Sequence, residues 1–273
     1  MSVAQCSWSD VAAGWDRWRD AIEAGDRDLT EAMLKHVGDV PGREVLELAA
    51  GAGELAARLA ERVGPDGRVV ASDEAEGMVG LLIRRLAGLP NVEVARADAC
   101  AIPSADATYD VVVCRMGLML VAEPPAAAAE MHRVLKPGGR LVAAVWAEAA
   151  ANPWLASVGM AAMMHGLVAG GPPTGPGGPF SLADRDALHR LVENAGFADV
   201  TVEPCIGERH YSGTEQLVEM GTSLAPPLHA ALARATPEQR ATLEETVRQL
   251  TSAYADGAGL DLPTKAWIVT AVA

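Results

Sequence analysis

"VLELAAGAGELAARLA", Val45–Ala60, decides how this chain is read. A short apolar run interrupted by Glu47 leads into Gly51-Ala52-Gly53, and an Ala/Leu-rich run with helical spacing follows. That is a strand, a glycine bend and a helix. Gly51 through Ala56 also fits the G-x-G-x-x-G/A pattern of dinucleotide binders, with the acidic Asp73 about 20 positions on, as that pattern asks. Two kinds of ligand can use such a bend, because glycine lets a ligand approach the backbone beside a helix N-terminus. A dinucleotide would rest its pyrophosphate on that N-terminus. A nucleoside carrying an amino acid has no phosphate, and its ammonium group needs a carboxylate or carbonyls. Glu47, two residues before the loop, suits an ammonium or sulfonium and would repel a pyrophosphate.

Strands and helices alternate outward from this stretch. "REVLELA", "GRVVASD", "VEVARAD", "YDVVVCRM" and "GRLVAAVW" read as strands. "GELAARLAERV", "EGMVGLLIRRLAGL" and "PPAAAAEMHRVL" read as the helices between them. This pattern predicts βαβ units and a parallel sheet covered on both faces. Gly64-Pro65-Asp66-Gly67 and Lys136-Pro137-Gly138-Gly139 are turns placed just before strands. Beyond Ala147, "HGLVAGGPPTGPGGPF" is too rich in Gly and Pro for a helix or central strand, and is either a linker or a flap. Ser181 is the expected N-cap of the next helix, with Gly196 just past its end. "ADVTVEP" and the final "TKAWIVTAVA" are further strands. Residues 212–256 read as helical, with a capping box at Thr236-Pro237-Glu238-Gln239.

Composition narrows the function. The formal net charge is -14, with no run of Lys or Arg, which argues against nucleic acid as a partner. No stretch approaches the roughly 20 apolar residues of a membrane span. "MSVAQCSWSDVAAGWDRWRD" lacks the basic and apolar regions of a signal peptide. The four cysteines are scattered without C-x-x-C spacing, so reduced thiols, no zinc or other metal site and a cytoplasmic location are expected.

An ordered set of motifs then resembles one family. "VLELAAGAG", "VVASDEAEGMV", "ARADACAIPSADATYDVVVCRMGL", "EMHRVLKPGGRLV" and "LVENAGFADVTVE" together resemble the class I S-adenosylmethionine-dependent methyltransferases, in the small-molecule branch typified by ubiquinone/menaquinone C-methyltransferases. The resemblance covers roughly residues 8–204 and the last strand. It implies an α/β fold, a Rossmann-like, doubly wound, mostly parallel seven-stranded sheet with an added helical substrate cap. It divides a single domain into an N-terminal lid (1–38), a core (39–150, 181–204 and 264–273) and cap insertions (151–180 and 205–263).

The cofactor implied is S-adenosyl-L-methionine. Glu47, Ala49, Gly51 and Gly53 would form its cradle, Ala49 standing where the family usually has a glycine. Asp73, next to Glu74, would take the ribose hydroxyls, since a carboxylate can accept both. Met78 would pack on the adenine, a flexible thioether suiting an aromatic face. Asp98 and the Ala99 amide would hold the adenine edge, and Arg115 would line the mouth. In related proteins an N-terminal helix closes over the cofactor, and "GWDRW", with Trp15 and Trp18 on one face, would supply a wall.

A phenol, enol or amine acceptor also calls for a base. His132 and His189 sit on sheet-covering helices and read as structural. His165 and His210 lie in the segments that depart from the common core, and are the candidate catalytic residues. The Met- and Leu-rich cap helices suit a small, largely apolar acceptor. The expected partners are that acceptor and a second copy of the chain in a homodimer. Rival readings are a relative that keeps the cofactor but catalyses a cyclisation or isomerisation, a non-catalytic binding protein, and a nicotinamide dehydrogenase.

Overall fold

The central strands are built from β-branched and leucine residues whose side chains are buried on both faces, the pattern of a sheet covered on two sides. The computed structural model describes residues 6–168, 174–175 and 177–273. Seven strands, β1 (Glu44–Leu48), β2 (Arg68–Asp73), β3 (Val92–Arg96), β4 (Tyr109–Arg115), β5 (Leu135–Trp146), β6 (Ala198–Tyr211) and β7 (Leu260–Val272), form one sheet in the order β3-β2-β1-β4-β5-β7-β6. The first five strands pair in parallel, and β7 runs antiparallel to both of its neighbours. The chain leaves β1 toward β2 and β3, then returns to β4 on the other side. The crevice at the carboxyl ends of β1 and β4 is therefore the switch point at which such sheets bind ligands.

Helices α1 (Ala12–Arg17), α2 (Arg19–Gly25) and α3 (Arg27–Val37) come first in the chain. Next come α4 (Glu54–Val63), α5 (Glu76–Leu86), α6 (Pro124–Val134), α7 (Pro153–Met164) and α8 (Arg185–Asn194). The last three are α9 (Thr214–Leu224), α10 (Pro226–Arg234) and α11 (Pro237–Thr251). One apolar cluster joins the sheet to α3, α4, α6 and α8. A second is formed by α7, α9, α10 and α11 with Ile22, and it takes in Tyr211, Leu260 and Leu262 from the far ends of β6 and β7.

Several details differ from the sequence reading. β6 continues to Tyr211 and β7 begins at Leu260, so this ribbon extends past the expected limits at 204 and 264. The Lys136–Gly139 turn lies within β5, where the register against β4 slips between Tyr109 and Val111 and Gly138 takes φ +78°. Asp184, not Ser181, caps α8 by accepting from the Ala187 amide. The Ser181 hydroxyl instead donates to the Met119 carbonyl, beside a buried Phe180. The capping box at Thr236 and Gln239 forms as expected. The linker-or-flap segment falls partly outside the described residues, at 169–173 and 176. Among the described residues, no helix is long and apolar enough to cross a membrane.

Candidate functional site

The bend after β1 is fixed by left-handed backbone. Ala49 has φ +53°, Gly51 φ +56° and Gly53 φ +87°, the last serving as N-cap of α4. Alanine in this region costs about 1–2 kcal/mol relative to right-handed backbone, which makes Ala49 a strained member of the bend. Gly117, just beyond β4, fits against it, since a Cβ there would meet the Ala49 Cβ at 2.4 Å and the Cys114 Sγ at 2.9 Å. Gly117→Ala should therefore lower stability by roughly 1–3 kcal/mol through overpacking. Ala49→Gly alone should gain stability by relieving the left-handed alanine, and in urea unfolding Gly117→Ala should cost less in that background than in the wild type. An equal cost of Gly117→Ala in both backgrounds would show that the two positions do not share the space.

Asp73, at the end of β2, locks the bend from the side. Its Oδ2 accepts from the Gly51 amide at 3.1 Å and its Oδ1 from the Ala75 amide at 3.0 Å. Burial pushes its carboxyl up, and the backbone amides of Ala75 and Gly51 oppose that rise. Each oxygen keeps a further lone pair for a ligand hydroxyl. Ser72 ties the two strands together, its hydroxyl donating to the Glu47 carbonyl at 2.9 Å.

Glu47 is the unusual group. It is 1% exposed, and its Oε2 has no hydrogen-bond partner. Burial raises its carboxyl to about 8 against the pull of Arg115, with Glu54 and Asp73 adding to the rise. A buried acceptor atom without a donor is costly in a finished interior. An ammonium group would supply both the missing donors and the missing charge.

Arg115 is partly buried. Its Nη1 donates to Thr30 Oγ1 on α3 at 2.8 Å, and its Nη2 lies 3.8 Å from Glu54 at the start of α4. Glu54 is also paired with Arg85 at 2.6 Å. The guanidinium thus closes one side of the crevice and joins it to the N-terminal helices.

Those helices pack over the turn. A Cβ on Gly51 would lie 3.8 Å from the Trp15 ring, whose Nε1 donates to the Leu224 carbonyl on α9 at 3.1 Å. Ser9 accepts from the Gly77 amide at 3.0 Å, and Gly14 abuts the Ser223 backbone. The N-terminal segment therefore touches both the bend and α9. The ring that reaches Gly51 is Trp15, whereas Trp18 packs with the apolar cluster of α7, α9, α10 and α11.

The remaining candidates are spread around the crevice. Met78 is buried on α5, while Glu74 is exposed and its carbonyl accepts from Arg96. Asp98 is exposed and accepts from the Cys100 amide at 2.8 Å, with Ala99 half-buried beside it. The two histidines proposed as bases have partners elsewhere. His165 shares a 2.7 Å hydrogen bond with Thr246 on α11, and exposed His210 one of 2.7 Å with Asp261. Neither bond involves a residue of the bend. His132 sits edge-on to Phe197, a packing role.

A buried cluster that no sequence motif marks lies beside the N-terminal helices. Arg209 of β6 pairs with Asp26 at the start of α3, and its guanidinium lies 4.0 Å from the Trp154 ring centroid and 5.6 Å from that of Trp146. Tyr211 joins the cluster, its phenol raised by burial against the pull of Arg209. No local signal announces this cluster, because Asp26 and Arg209 are far apart in the chain.

Comparison with known proteins agrees with this geometry. A family model described as a methyltransferase domain matches residues 45–139, from β1 to the turn in β5. The chain is 40% identical over 136 residues to a demethylmenaquinone methyltransferase of Clavibacter sepedonicus, covering 50% of this chain and 54% of the relative. The chain thus spans about half the length of that relative. It is 34% identical over 204 residues to a demethylmenaquinone methyltransferase of Renibacterium salmoninarum, covering 71% of this chain and 83% of the relative. Among solved structures it is similar to a SAM-dependent methyltransferase from Aquifex aeolicus, with a TM-score of 0.51, 26% identity, and 67% and 89% of the two chains covered. The chain belongs to the class I S-adenosylmethionine-dependent methyltransferase family.

Proposed function

We propose that the protein transfers a methyl group from S-adenosylmethionine to a small, largely apolar metabolite. The observation that carries this reading is the unpartnered, buried Glu47 Oε2 beside the glycine bend. That atom fits the ammonium of the cofactor's methionine tail. Asp73 fits the ribose, and the backbone of Gly51 and Gly53 permits close approach. A pyrophosphate would face a cluster of Glu47, Glu54 and Asp73, which argues against a dinucleotide.

When bound, the cofactor supplies an electrophilic methyl group on a positively charged sulfur. The residues of this chain contribute position and dryness. Acceptor and methyl must be held near attack, about 3 Å apart, with water excluded. The lid joining Trp15 to Gly51 and to Leu224 supports the second requirement. An apolar acceptor is supported by the cap's cluster, which includes Leu217, Met220, Leu228 and Leu232. The names of the relatives, demethylmenaquinone methyltransferases, point the same way. All four cysteines are free, which supports a reducing, cytoplasmic setting.

Incubation with methyl-labelled cofactor and an extract of the native producer should place label in an organic-soluble small molecule. A protein that binds S-adenosylhomocysteine but leaves every small molecule unlabelled would instead be a binding protein or a cyclase-like relative.

A further inference from the structure

The Arg115 guanidinium carries five N–H donors, and only 9% of its side chain is exposed. Among the described residues it makes one hydrogen bond, to Thr30 Oγ1 at 2.8 Å. Glu54, 3.8 Å from Nη2, lies beyond hydrogen-bond reach and is held instead by Arg85 at 2.6 Å. Donors withdrawn from water are normally satisfied, so a guanidinium this sparsely bonded points to an acceptor that arrives with a ligand.

Arg115 and Glu47 stand at the same crevice. β1 and β4 are parallel neighbours, with Glu47 opposite Val113. Side chains two apart on a strand share a face, so Arg115 and Glu47 project from one side of the sheet at adjoining strand ends. Glu54 is their common neighbour, 3.8 Å from Arg115 and close enough to push the Glu47 carboxyl up, while Arg115 pulls it down. Beside them the bend leaves room, since a Cβ on Gly51 would meet nothing beyond its chain neighbours nearer than the Trp15 ring at 3.8 Å. Glu47 Oε2 lacks a donor, and Arg115 has donors to spare. Together they are the two halves of a site for a zwitterion.

We propose that Arg115 grips the carboxylate of the cofactor's methionine tail, across from the Glu47 that takes its ammonium. The crevice thereby selects sulfur nucleosides that carry a whole amino acid over decarboxylated ones. Charge balance supports the assignment. With Glu47 ionised, Glu47, Glu54 and Asp73 outnumber Arg85 and Arg115 by one negative charge. S-adenosylmethionine, with its sulfonium, ammonium and carboxylate, brings one net positive charge and neutralises the site. Its decarboxylated form brings two and leaves Arg115 facing cations, which repel it. Thr30 acts here as a positioning residue, holding the guanidinium from α3. The assignment rests on the proposed methyltransferase reading, which supplies the ligand.

The test is calorimetric titration of the full chain with S-adenosylhomocysteine and with its decarboxylated analogue, in which a hydrogen replaces the carboxyl and the amine stays. The wild-type chain should bind S-adenosylhomocysteine roughly 10- to 150-fold tighter, the range for a hydrogen-bonded charged group. Arg115→Met should bring S-adenosylhomocysteine down to the affinity of the analogue, and retained binding of the analogue is the sign that the fold persists. Arg115→Lys, which keeps the charge but loses the planar fork, should retain part of the preference. Glu47→Gln should weaken both ligands and leave the preference between them in place, because both carry the ammonium. Equal affinities of the wild-type chain for the two nucleosides, or an undiminished preference in Arg115→Met, would overturn this assignment alone. A wild-type chain that binds neither nucleoside would overturn the cofactor reading and this assignment with it.

Discussion

Glu47→Gln should raise the thermal stability of the ligand-free protein at pH 8 and, in the same variant, weaken S-adenosylhomocysteine binding. The two effects share one cause. Burial holds the Glu47 carboxyl up at about 8, well above the ordinary carboxylate value of about 4.5. A carboxyl raised in the folded state favours the protonated form, so its contribution to stability is full below about pH 4.5. That contribution is lost as pH climbs from there through 8. Each unit of that interval is worth about 1.4 kcal/mol, so the wild-type chain gives up a few kcal/mol by pH 8. Glutamine does not titrate and keeps that stability. Melting curves of the two proteins should therefore coincide near pH 4.5 and separate by several degrees at pH 8, the variant melting higher. Binding should move the other way. Replacing a buried carboxylate that faces an ammonium by a neutral amide costs about 1.5–3 kcal/mol, or roughly 10- to 150-fold in Kd. A variant that melts higher and binds equally well would show that Glu47 faces something other than the ammonium.

Asp73→Ala should be nearly as damaging to binding by a different route. The substitution unpairs the Gly51 and Ala75 amides and removes the acceptor proposed for the ribose. Loss of hydrogen bonds to a charged group again costs roughly 1.5–3 kcal/mol. Here the bend itself should also loosen, because the Asp73 carboxylate holds its Gly51 amide. Amide exchange at Gly51 and Ala75 should quicken in Asp73→Ala, and Asp73→Asn, which retains one acceptor oxygen, should fall between the two in calorimetric titration. Unchanged S-adenosylhomocysteine affinity in Asp73→Ala would remove Asp73 from the site.

The parts of the molecule that could be read from sequence are those whose causes are local. Val45–Gly53 specifies a strand and a left-handed bend within nine residues, and strand–helix alternation through Trp146 follows from periodicity. The box at Thr236 and Gln239 joins residues three apart, so it too was legible. Ser181 and Asp184 are both good caps, and local chemistry could not choose between them. The choice rests on the tertiary bond from Ser181 to Met119. The accommodation of the Ala49 methyl by Gly117 likewise depends on two strand ends that only the folded sheet brings together. Arg209 was invisible for the same reason. It falls past the expected end of the strand at 204, and only the continuation of β6 to Tyr211 brings it to Asp26 and the two tryptophans. His165 and His210 were singled out by their place in segments outside the common core, and their hydrogen-bond partners, Thr246 and Asp261, are set by the fold.

On the proposed function, the buried, unpartnered Glu47 receives the ammonium of a sulfur nucleoside. At pH 7 its carboxyl is mostly protonated in the ligand-free protein and must ionise to hold a cation. S-adenosylhomocysteine binding, titrated calorimetrically in buffers of different ionisation enthalpy, should release close to one proton at pH 7, and Glu47→Gln should abolish that release. Binding without proton release, or tight binding of a nicotinamide dinucleotide in its place, would contradict the account.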